Sequence, residues 1–462
     1  MSFLKRTSLL LLTTIAFLML NSCEQSNEYP VQSYNVSGKA VDSEGLGVDS
    51  VKLFYSSSDS VYSDKNGNWN ILALTGANSI IPYKNNYIFN PTQVSVSSSQ
   101  AGIIFIATDT TSDYVLENEL KVYNWFENLQ LANGLLESAE NSNIVSLYDN
   151  ALAALVFISY GNFERAEKIF DFFNLRIESE LTIGNGGFSQ FRDRDGIPGN
   201  HRWMGDNAWL LIALNNYKTI TGNTQYIGLA DAIEAWLRSL QDTDGGLWGG
   251  YSSDDTQIHK ITEGNIDAFN AIPGYDSFHI NLLNFLENDR WDATDKLLIA
   301  WPGNVQYKYA LDLHCWGYCI FEDFPESVLT EADRYITTKT ATVLGTPVTG
   351  YCFDIDKDVV WLEGTGEMVV AFQKAGLSTE ADYYIVELEK MIIESSLFSN
   401  SSGIPYTTNN GTHYGSSQLW DGVDTNQAIS SGAWYLFNKR KFNPFETGRV
   451  KNIPEEDKFW RN

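Results

Sequence analysis

The 462-residue sequence is poor in basic residues, histidine and cysteine. It contains 31 Lys and Arg against 58 Asp and Glu, which gives a formal net charge of −27. Since nucleic-acid binding requires a basic surface that neutralises phosphates, this balance argues against nucleic acid as a partner. There are only five His and no HExxH or CxxC motif, so catalysis or metal binding through these residues is not expected.

The four cysteines are too few for a disulfide-stapled scaffold. Cys315 and Cys319 lie four residues apart in an apolar stretch with helical periodicity. We expect both to be buried as small hydrophobic side chains, because a metal site would need further His or Cys residues at close spacing. No metal site is therefore predicted from them.

Long apolar runs are also scarce, and the clearest one stands at the N-terminus. It extends from Leu9 to Leu20, follows Lys5 and Arg6, and is too short to span a membrane comfortably, which is typical of a signal peptide. Ser22-Cys23 at its end resembles the lipobox of bacterial lipoproteins, which implies cleavage before Cys23 and lipidation of that residue. An ordinary secreted protein with a chance cysteine is the alternative.

The lipobox resemblance predicts a signal peptide over residues 1–22 and a polar tether over residues 23–32. It implies a protein of the bacterial cell envelope, lipid-anchored in the outer membrane and either periplasmic or surface-exposed. The membrane would then be a partner through the lipid anchor.

Residues 33–108 have the pattern of a small antiparallel β-sandwich. Short runs of alternating or β-branched residues, such as VSGKAVD and VDSVKLFY, are separated by the turns SEGLG, DKNG and PYKNN. The order of these runs and turns resembles carboxypeptidase-regulatory-like modules. This resemblance implies a structural or spacer role.

Residues 115–445 change to helical periodicity, with twelve candidate helical segments. Some, such as ALAALVFI and AWLLIAL, are apolar nearly all round, whereas others, such as ERAEKIFDFF, keep a charged face. This alternation is typical of an inner ring of helices inside an outer ring. The twelve candidates include the long segment DAFNAIPGYDSFHINLLNFLE, WDATDKLLIAW and SVLTEADRYITTKTATVL.

Six acidic residues recur at the predicted starts of apolar helices, 49 to 61 residues apart: Asp149, Asp206, Glu263, Asp312, Glu363 and Asp424. This spacing accommodates a helical hairpin each time, as expected for a repeat architecture. Six hairpins favour closure into a mainly α (α/α)6 toroid, with the acids around one end of a cavity. An open helical solenoid is the alternative.

The phrases DNAWLLIALNNYKTITGNTQY, WLRSLQDTDGG and WLEGTGEM make residues 115–445 similar to the six-hairpin glycosidase superfamily. The resemblance implies an (α/α)6 toroid and hydrolases, mostly inverting, with acidic residues near the starts of the inner helices. It also includes some lyases and epimerases.

Two of the six acids are glutamates, which are poorer helix N-caps than aspartates. Glu263 and Glu363 are each followed four residues later by a second acid, Asp267 and Glu367, on the same helix face. A close pair keeps one carboxyl protonated at neutral pH, as a general acid requires. Together with the resemblance, this predicts Glu263 as general acid and Glu363 as base.

Asp206 and Asp149 are the substitutes for these two catalytic roles, although capping alone explains an aspartate at a helix start. The Gly-rich loops around Phe188 and Trp248 are suited to presenting aromatic rings that stack on a sugar. The further residues predicted to contact substrate are Trp203, Trp248, Tyr251, Trp361, Trp420, Asp267, Asp312, Glu367 and Asp424.

The sequence thus predicts a monomeric glycoside hydrolase acting on an oligo- or polysaccharide, without a cofactor. Asp-rich stretches at residues 193–196, 242–245 and 354–358 leave a structural calcium ion open, although none matches the twelve-residue calcium loop. Two alternatives stay open: a non-catalytic glycan-binding or scaffold lipoprotein, and a polysaccharide lyase.

Overall fold

The computed structural model describes residues 33–42, 45–56, 59–84, 87–109, 114–410, 413–414, 417–418 and 423–461. The N-terminal part is built of strands, as the alternating pattern predicts. They are β1 (Tyr34–Val41), β2 (Lys52–Phe54), β3 (Ser60–Tyr62), β4 (Asn68–Leu74), β5 (Asn78–Tyr83), β6 (Tyr87–Asn90), β7 (Val94–Val96) and β8 (Gln100–Asp109).

These strands form two four-stranded sheets, with the orders β4-β1-β8-β6 and β3-β2-β5-β7. Side chains from both sheets share one hydrophobic core, including Val36, Leu53, Ile80 and Phe105. The prediction of a purely antiparallel arrangement was wrong at one place, because β1 and β8 pair in parallel. The first and last strands of the module come together there, and a local turn pattern does not reveal such a long-range pairing.

Twelve helices of the described chain form two rings. The inner helices are α2 (Leu147–Ser159), α4 (Met204–Thr221), α6 (Thr262–Ala271), α8 (Leu311–Ile320), α10 (Leu362–Ala375) and α12 (Ile429–Arg440). The outer helices are α1 (Tyr114–Leu129), α3 (Phe163–Asn174), α5 (Ile227–Ser239), α7 (Ser277–Phe285), α9 (Ser327–Glu331) and α11 (Ser378–Glu389). A short α13 (Glu446–Arg449) follows.

Each inner helix packs against the next, and α12 packs against α2, so the inner ring is closed. The inner helices are buried almost all round, whereas outer helices such as α3 bury one face. The predicted fold class is therefore confirmed: the protein is mainly α, a closed toroid of six helical hairpins preceded by a small β region. The open solenoid is excluded.

The predicted count of twelve helices was right through two compensating errors. The segment DAFNAIPGYDSFHINLLNFLE forms two helices, α6 and α7, which are separated at Pro273. The segment WDATDKLLIAW is not a helix, because Trp291–Asp292 pairs with Leu297–Leu298 in a tight hairpin. Its apolar residues at helical spacing are those of two short strands.

A further predicted helix, SVLTEADRYITTKTATVL, is helical only at its start. Helix α9 ends at Glu331, a 3₁₀ turn follows, and Ile336–Thr340 forms a strand that pairs with Pro347–Tyr351. The run ITTKT is rich in β-branched residues, which favour strands. This preference prevails over the apolar periodicity of the segment.

Short paired strands connect the helices on the toroid, and single turns of π- or 3₁₀-helix occur between them. The strands are β9 (Val145–Ser146), β10 (Phe191–Arg192), β11 (Arg202–Trp203), β12 (Gly250–Tyr251), β13 (Trp291–Asp292), β14 (Leu297–Leu298), β15 (Ile336–Thr340), β16 (Pro347–Tyr351), β17 (Ile393–Glu394), β18 (Ser402–Gly403), β19 (His413–Tyr414) and β20 (Ser417–Gln418).

A buried asparagine at the start of three inner helices holds the preceding loop in place. In α4, the side chain of Asn207 accepts from the Phe188 N–H (2.9 Å) and donates to the carbonyls of Phe188 (3.1 Å) and Trp203 (2.9 Å). Asn150 in α2 and Asn265 in α6 make the equivalent three bonds to their own loops. The repeated Asn of DNALAAL, DNAWLLIAL and EGNIDAF is thus a structural element that positions the loops of the toroid mouth.

The β region and the C-terminal segment both pack on the toroid. Phe54 contacts Phe163 of α3 edge-to-face at 5.8 Å, and Ile81 of β5 is buried within the toroid core. Trp460 lies against Phe321 with ring centroids 4.8 Å apart, so the toroid core extends to the end of the described chain. None of the helices in the described ranges is long and apolar enough to cross a membrane.

Candidate functional site

A cavity of about 930 Å³ opens at the N-terminal ends of the inner helices. Its volume lies in the upper part of the range of small-molecule sites, about 300–1,000 Å³. The buried indoles of Trp209 and Trp316, with ring centroids 5.3 Å apart, line its inner end. The surrounding wall consists of the loops that precede α4, α6, α8, α10 and α12. The cavity is thus enclosed on several sides and aromatic at its base.

Four of the six repeated acids line this cavity. Asp206, Glu263, Asp312 and Glu363 lie in the first turns of α4, α6, α8 and α10. The partial positive charge and free N–H groups of these helix starts favour carboxylates there. The closed ring therefore brings together acids that are far apart in sequence.

Glu263 and Asp312 form a carboxyl–carboxyl hydrogen bond between the neighbouring helices α6 and α8. Burial raises the pKa of Glu263 well above its usual range, and the negative charge of Asp312 raises it further. Burial also raises the pKa of Asp312 to about 7, while the backbone N–H of Leu313 (2.8 Å) and the bond with Glu263 counteract this. The higher pKa of Glu263 favours its protonated form, which is the form that can donate a proton.

Glu363 lies on α10, separated from α6 by α8 in the inner ring. The Tyr148 hydroxyl donates to its Oε1 at 2.7 Å, and the Trp434 indole N–H donates to the Tyr148 oxygen at 3.3 Å. Burial raises the pKa of Glu363 to about 7, and hydrogen bonds from Tyr148, Ser430 and Tyr406 lower it. These donors stabilise the carboxylate form, which a base requires.

Asp206 and Asp149 differ in their position relative to the cavity. Asp206 lines it, and both burial and the neighbouring charge of Asp149 raise its pKa well above the usual range. Asp149 does not line the cavity. It lies in the first turn of α2, where burial raises its pKa to about 7. The structure thus places Asp206, but not Asp149, where it could contact a ligand.

Asp267 and Glu367 lie one turn further along α6 and α10, below Glu263 and Glu363. Both are fully buried, and burial followed by the nearby carboxylates raises their pKa well above the usual range. Glu367 lines the cavity; the Cys315 thiol donates to its Oε2 at 3.4 Å. Both oxygens of Asp267 and Oε1 of Glu367 have no hydrogen-bond partner.

Three of the five predicted aromatic contacts line the cavity: Trp203, Trp248 and Trp361. Tyr251 pairs with Arg202 through the strands β11 and β12 and does not line it. Trp420 lies outside the described residues. The sequence did not reveal six further aromatic residues of the cavity, because nothing local distinguishes them from core or loop aromatics: Tyr148, Trp209, Trp301, Trp316, Phe353 and Tyr406.

The predicted position of Asp424 at a helix start was wrong. It lies five residues before α12 begins at Ile429, and the Thr342 hydroxyl donates to its Oδ2 at 2.6 Å. Asp424 is buried and does not line the cavity. Its structural role is to connect the loop before α12 to the turn between β15 and β16.

Three groups with basic side chains, His259, Lys260 and Arg290, lie on one side of the cavity. Lys260 forms ion pairs with Asp242 (2.8 Å) and Asp244 (2.6 Å). These two carboxylates therefore bind the ammonium group of Lys260. They belong to one of the three Asp-rich stretches in which a calcium ion was left open.

The other two Asp-rich stretches differ from each other. Asp193 Oδ1 accepts from the Ile197 N–H (2.9 Å), which closes a local turn. In the third stretch, ligand atoms of Cys352, Asp354 and Asp356 lie within 4.8 Å of one another, and it is the one such group of three among the described residues. Asp356 is exposed. Exposed acidic groups of this kind occur without a bound ion, and nothing else there indicates a ligand.

Neither a family model nor a curated protein matches the sequence. Solved structures do match: a glycosidase variant has 13% identity and a TM-score of 0.51, over 72% of this chain and 99% of its own. A second glycosidase variant, in complex with glucose, has 13% identity and a TM-score of 0.50, over 71% and 98%.

The fold is that of glycosidase-like (α/α) toroids. A sugar epimerase from a ruminal bacterium shares it, with 10% identity and a TM-score of 0.50 over 70% of this chain and 97% of its own. At such low identities the likeness concerns the fold alone, so the function must be argued from the side chains of the cavity.

Proposed function

We propose that this protein is a glycoside hydrolase that acts on an oligo- or polysaccharide with two carboxyl groups, Glu263 and Glu363. The observation that carries the proposal is that Glu263 with its neighbour Asp312 lines the same aromatic cavity as Glu363, whose Oε1 accepts a hydrogen bond from Tyr148. Glycoside hydrolysis needs one carboxylic acid to protonate the leaving oxygen and a second carboxylate across the sugar. A glycosidase of this fold binds glucose, which supports a carbohydrate ligand here.

In the proposed mechanism, Glu263 donates its proton to the glycosidic oxygen as the bond to the anomeric carbon breaks. Glu363 accepts a proton from a water molecule, which attacks the anomeric carbon from the opposite face. Because α8 lies between the helices that carry the two glutamates, the arrangement favours the wider carboxyl separation of inverting enzymes, about 6.5–9.5 Å. Asp206 is the substitute for the base. The chemistry requires no cofactor.

The proposed location is the cell envelope, with the protein anchored in the outer membrane through a lipid on Cys23. The support is the sequence motif around Ser22-Cys23. Cys23 and the signal peptide lie outside the described residues. Incorporation of radiolabelled palmitate by cells expressing the wild type, but not Cys23→Ala, tests this location.

Product release from a panel of glycans tests the activity. The wild type, Glu263→Gln and Glu363→Gln are compared with Glu380→Gln, a matched control in the exposed first turn of outer helix α11. We expect the two cavity variants to lose activity by about 10²–10⁴-fold, the contribution of general acid–base groups, and the control to keep it. Undiminished activity in both cavity variants would refute the assignment of the site, and no release from any glycan would refute the enzyme class.

Three candidate Tyr or His bases of a lyase line the cavity, namely Tyr148, Tyr406 and His259, and Tyr148 is poorly suited to that role. A lyase needs a Tyr or His base, and the phenol of Tyr148 donates its hydrogen to Glu363. Burial and the charge of Glu363 raise the pKa of Tyr148 well above its usual range. Unsaturated products absorbing in the ultraviolet would distinguish a lyase, binding without turnover would identify a scaffold protein, and interconversion of free sugars would indicate an epimerase.

A further inference from the structure

The cavity region contains more carboxyl groups than hydrolysis requires. Two carboxyls are sufficient for either stereochemical outcome. Here six interacting carboxyls lie together, on α4, α6, α8 and α10: Asp206, Glu263, Asp267, Asp312, Glu363 and Glu367. No ion pair among the described residues involves any of them. Because buried acids without counter-ions destabilise a fold, the surplus calls for an explanation.

Glu367 and Asp267 are the members that the hydrolytic mechanism does not use. The exposed fractions of their residues are 1% and 0%, and three of their four carboxyl oxygens have no hydrogen-bond partner. The Trp209 indole lies close enough to Asp267 to lower its pKa, but it completes no hydrogen bond. Leaving a buried polar group unpaired destabilises a protein, so these oxygens are expected to gain a hydrogen-bond donor when a ligand binds.

Glu367 lies at the wall of the cavity in which a ligand would bind. Its side chain lines the cavity together with Asp312, Trp209 and Trp316. Asp267 lies directly behind this wall, because a Cβ on the cavity residue Gly205 would lie 3.3 Å from its Oδ2. The unpaired oxygens are therefore next to the inner end of the cavity, where the two indoles could also flank a cation.

A single metal ion does not fit this arrangement. The cavity acids are not among the groups of three whose ligand atoms lie within 4.8 Å of one another in the described chain. A divalent cation would need such a gathered set of oxygens at about 2–2.6 Å from itself. An ammonium group differs, because its three N–H donors point in different directions and each reaches a separate acceptor.

We infer that the inner end of the cavity, with Glu367 and Asp267, is a subsite for a sugar that bears a free ammonium group. The inference rests on the proposed carbohydrate function of the same cavity. It assigns the substrate class as a saccharide containing an unacetylated amino sugar. The ammonium group would stabilise the carboxylate forms of Glu367 and Asp267, which release their protons to solvent as the sugar binds. Charge complementarity would then hold the sugar, while Glu263 and Glu363 remain available for catalysis.

Matched pairs of free sugars test this subsite. Binding of glucosamine, galactosamine and mannosamine to the wild type is measured by calorimetry and compared with glucose, galactose and mannose at pH 6. We expect at least one amine to bind about tenfold or more tightly than its neutral partner, and N-acetylation to abolish the difference. If none of the three amines binds more tightly than its partner, the inference is wrong.

Two variants locate the effect. Glu367→Gln and Asp267→Asn should reduce the preference for the amine to less than about threefold and leave the affinity for the neutral sugar within about threefold. Glu380→Gln should retain the preference. A preference that survives in both cavity variants would contradict the location, and thermal unfolding checks that each variant is folded.

The outcomes also separate the two proposals. Amine-selective binding without release from any glycan would support the subsite and refute the hydrolase. Release from neutral glycans with no amine preference would support the hydrolase and refute the subsite. Neither result depends on knowing the natural linkage.

Discussion

The carboxyl groups of Glu263 and Asp312 interact between two neighbouring helices of the inner ring. The two residues are 49 positions apart in sequence, and only the closure of the toroid brings their carboxyl groups together. Within the pair, protonation of Glu263 is favoured, because the N–H of Leu313 stabilises Asp312 as a carboxylate. The pair therefore keeps a carboxylic acid protonated near neutral pH.

Asp312→Asn should lower the pKa of Glu263, since burial would still raise this pKa but the negative charge of Asp312 would no longer add to it. The alkaline limb of the pH profile of kcat/KM, where the general acid loses its proton, should then move to lower pH. The profile is measured on any glycan that the wild type cleaves. An alkaline limb that stays in place would mean that Asp312 does not control the proton of Glu263.

Tyr148→Phe should raise the pKa of Glu363, because the carboxylate loses the hydrogen bond at 2.7 Å. A hydrogen bond to a charged group contributes about 1.5–3 kcal/mol, so the acidic limb of kcat/KM should move up by about one to two pH units. Tyr226→Phe, which removes a hydroxyl bonded to Asp171 away from the cavity, is the control. If Tyr148→Phe and the control have equal pH profiles, Tyr148 does not stabilise the carboxylate of Glu363 and the role of Glu363 as base is contradicted.

Asn207→Ala should destabilise the fold by about 2–4 kcal/mol, because a buried side chain with three hydrogen bonds to the loop before α4 is lost. The matched control is Asn215→Ala on the same helix, which removes one bond to the Ala271 carbonyl and should cost about 1 kcal/mol. Urea denaturation measures both. Similar losses in the two variants would show that Asn207 does not clamp the loop.

Asp149→Asn should change how stability depends on pH. Burial raises the pKa of Asp149 from 3.8 to about 7, so between these values the folded state binds more protons than the unfolded state. Its contribution therefore weakens the fold as pH rises through this window, by at most about 1.4 kcal/mol per pH unit. The stability of the variant relative to the wild type should increase from pH 4 to pH 7 and level off above.

Urea denaturation at each pH from 4 to 8 measures this difference. Asp231→Asn on α5, an exposed aspartate, should give a difference that does not vary with pH. If the difference for Asp149→Asn is equally flat, Asp149 is ionised in the folded protein at pH 7.

The toroid could be predicted because its inner helices must be apolar on all sides. Such helices are visible in the sequence as nearly uninterrupted apolar segments. ALAALVFI and AWLLIAL are such helices, and their number indicated a closed ring. The errors occurred where local and long-range preferences compete. ITTKT looked helical by its apolar spacing, yet it pairs with Pro347–Tyr351 through its β-branched residues.

The candidate site was predictable only in part. Acids at helix starts indicated Glu263, Asp312 and Glu363, because the first turn of an inner helix always faces the mouth of the toroid. The direction in which each acid points from that first turn was not predictable. This direction decides which acids line the cavity and which, like Asp149, do not. Tyr148 was missed because its role depends on Glu363, 215 residues away.

The assignment of Glu263 as general acid is the central claim, and the dependence of activity on the leaving group tests it most directly. Glu263→Gln, Glu363→Gln and the wild type are compared on a natural glycoside and on its 2,4-dinitrophenyl counterpart, whose leaving group needs no proton. We predict that Glu263→Gln is slowed by about 10²-fold or more on the natural glycoside but within about tenfold of the wild type on the activated one. Glu363→Gln should be slow on both. If Glu263→Gln is equally impaired on both substrates, Glu263 is not the general acid.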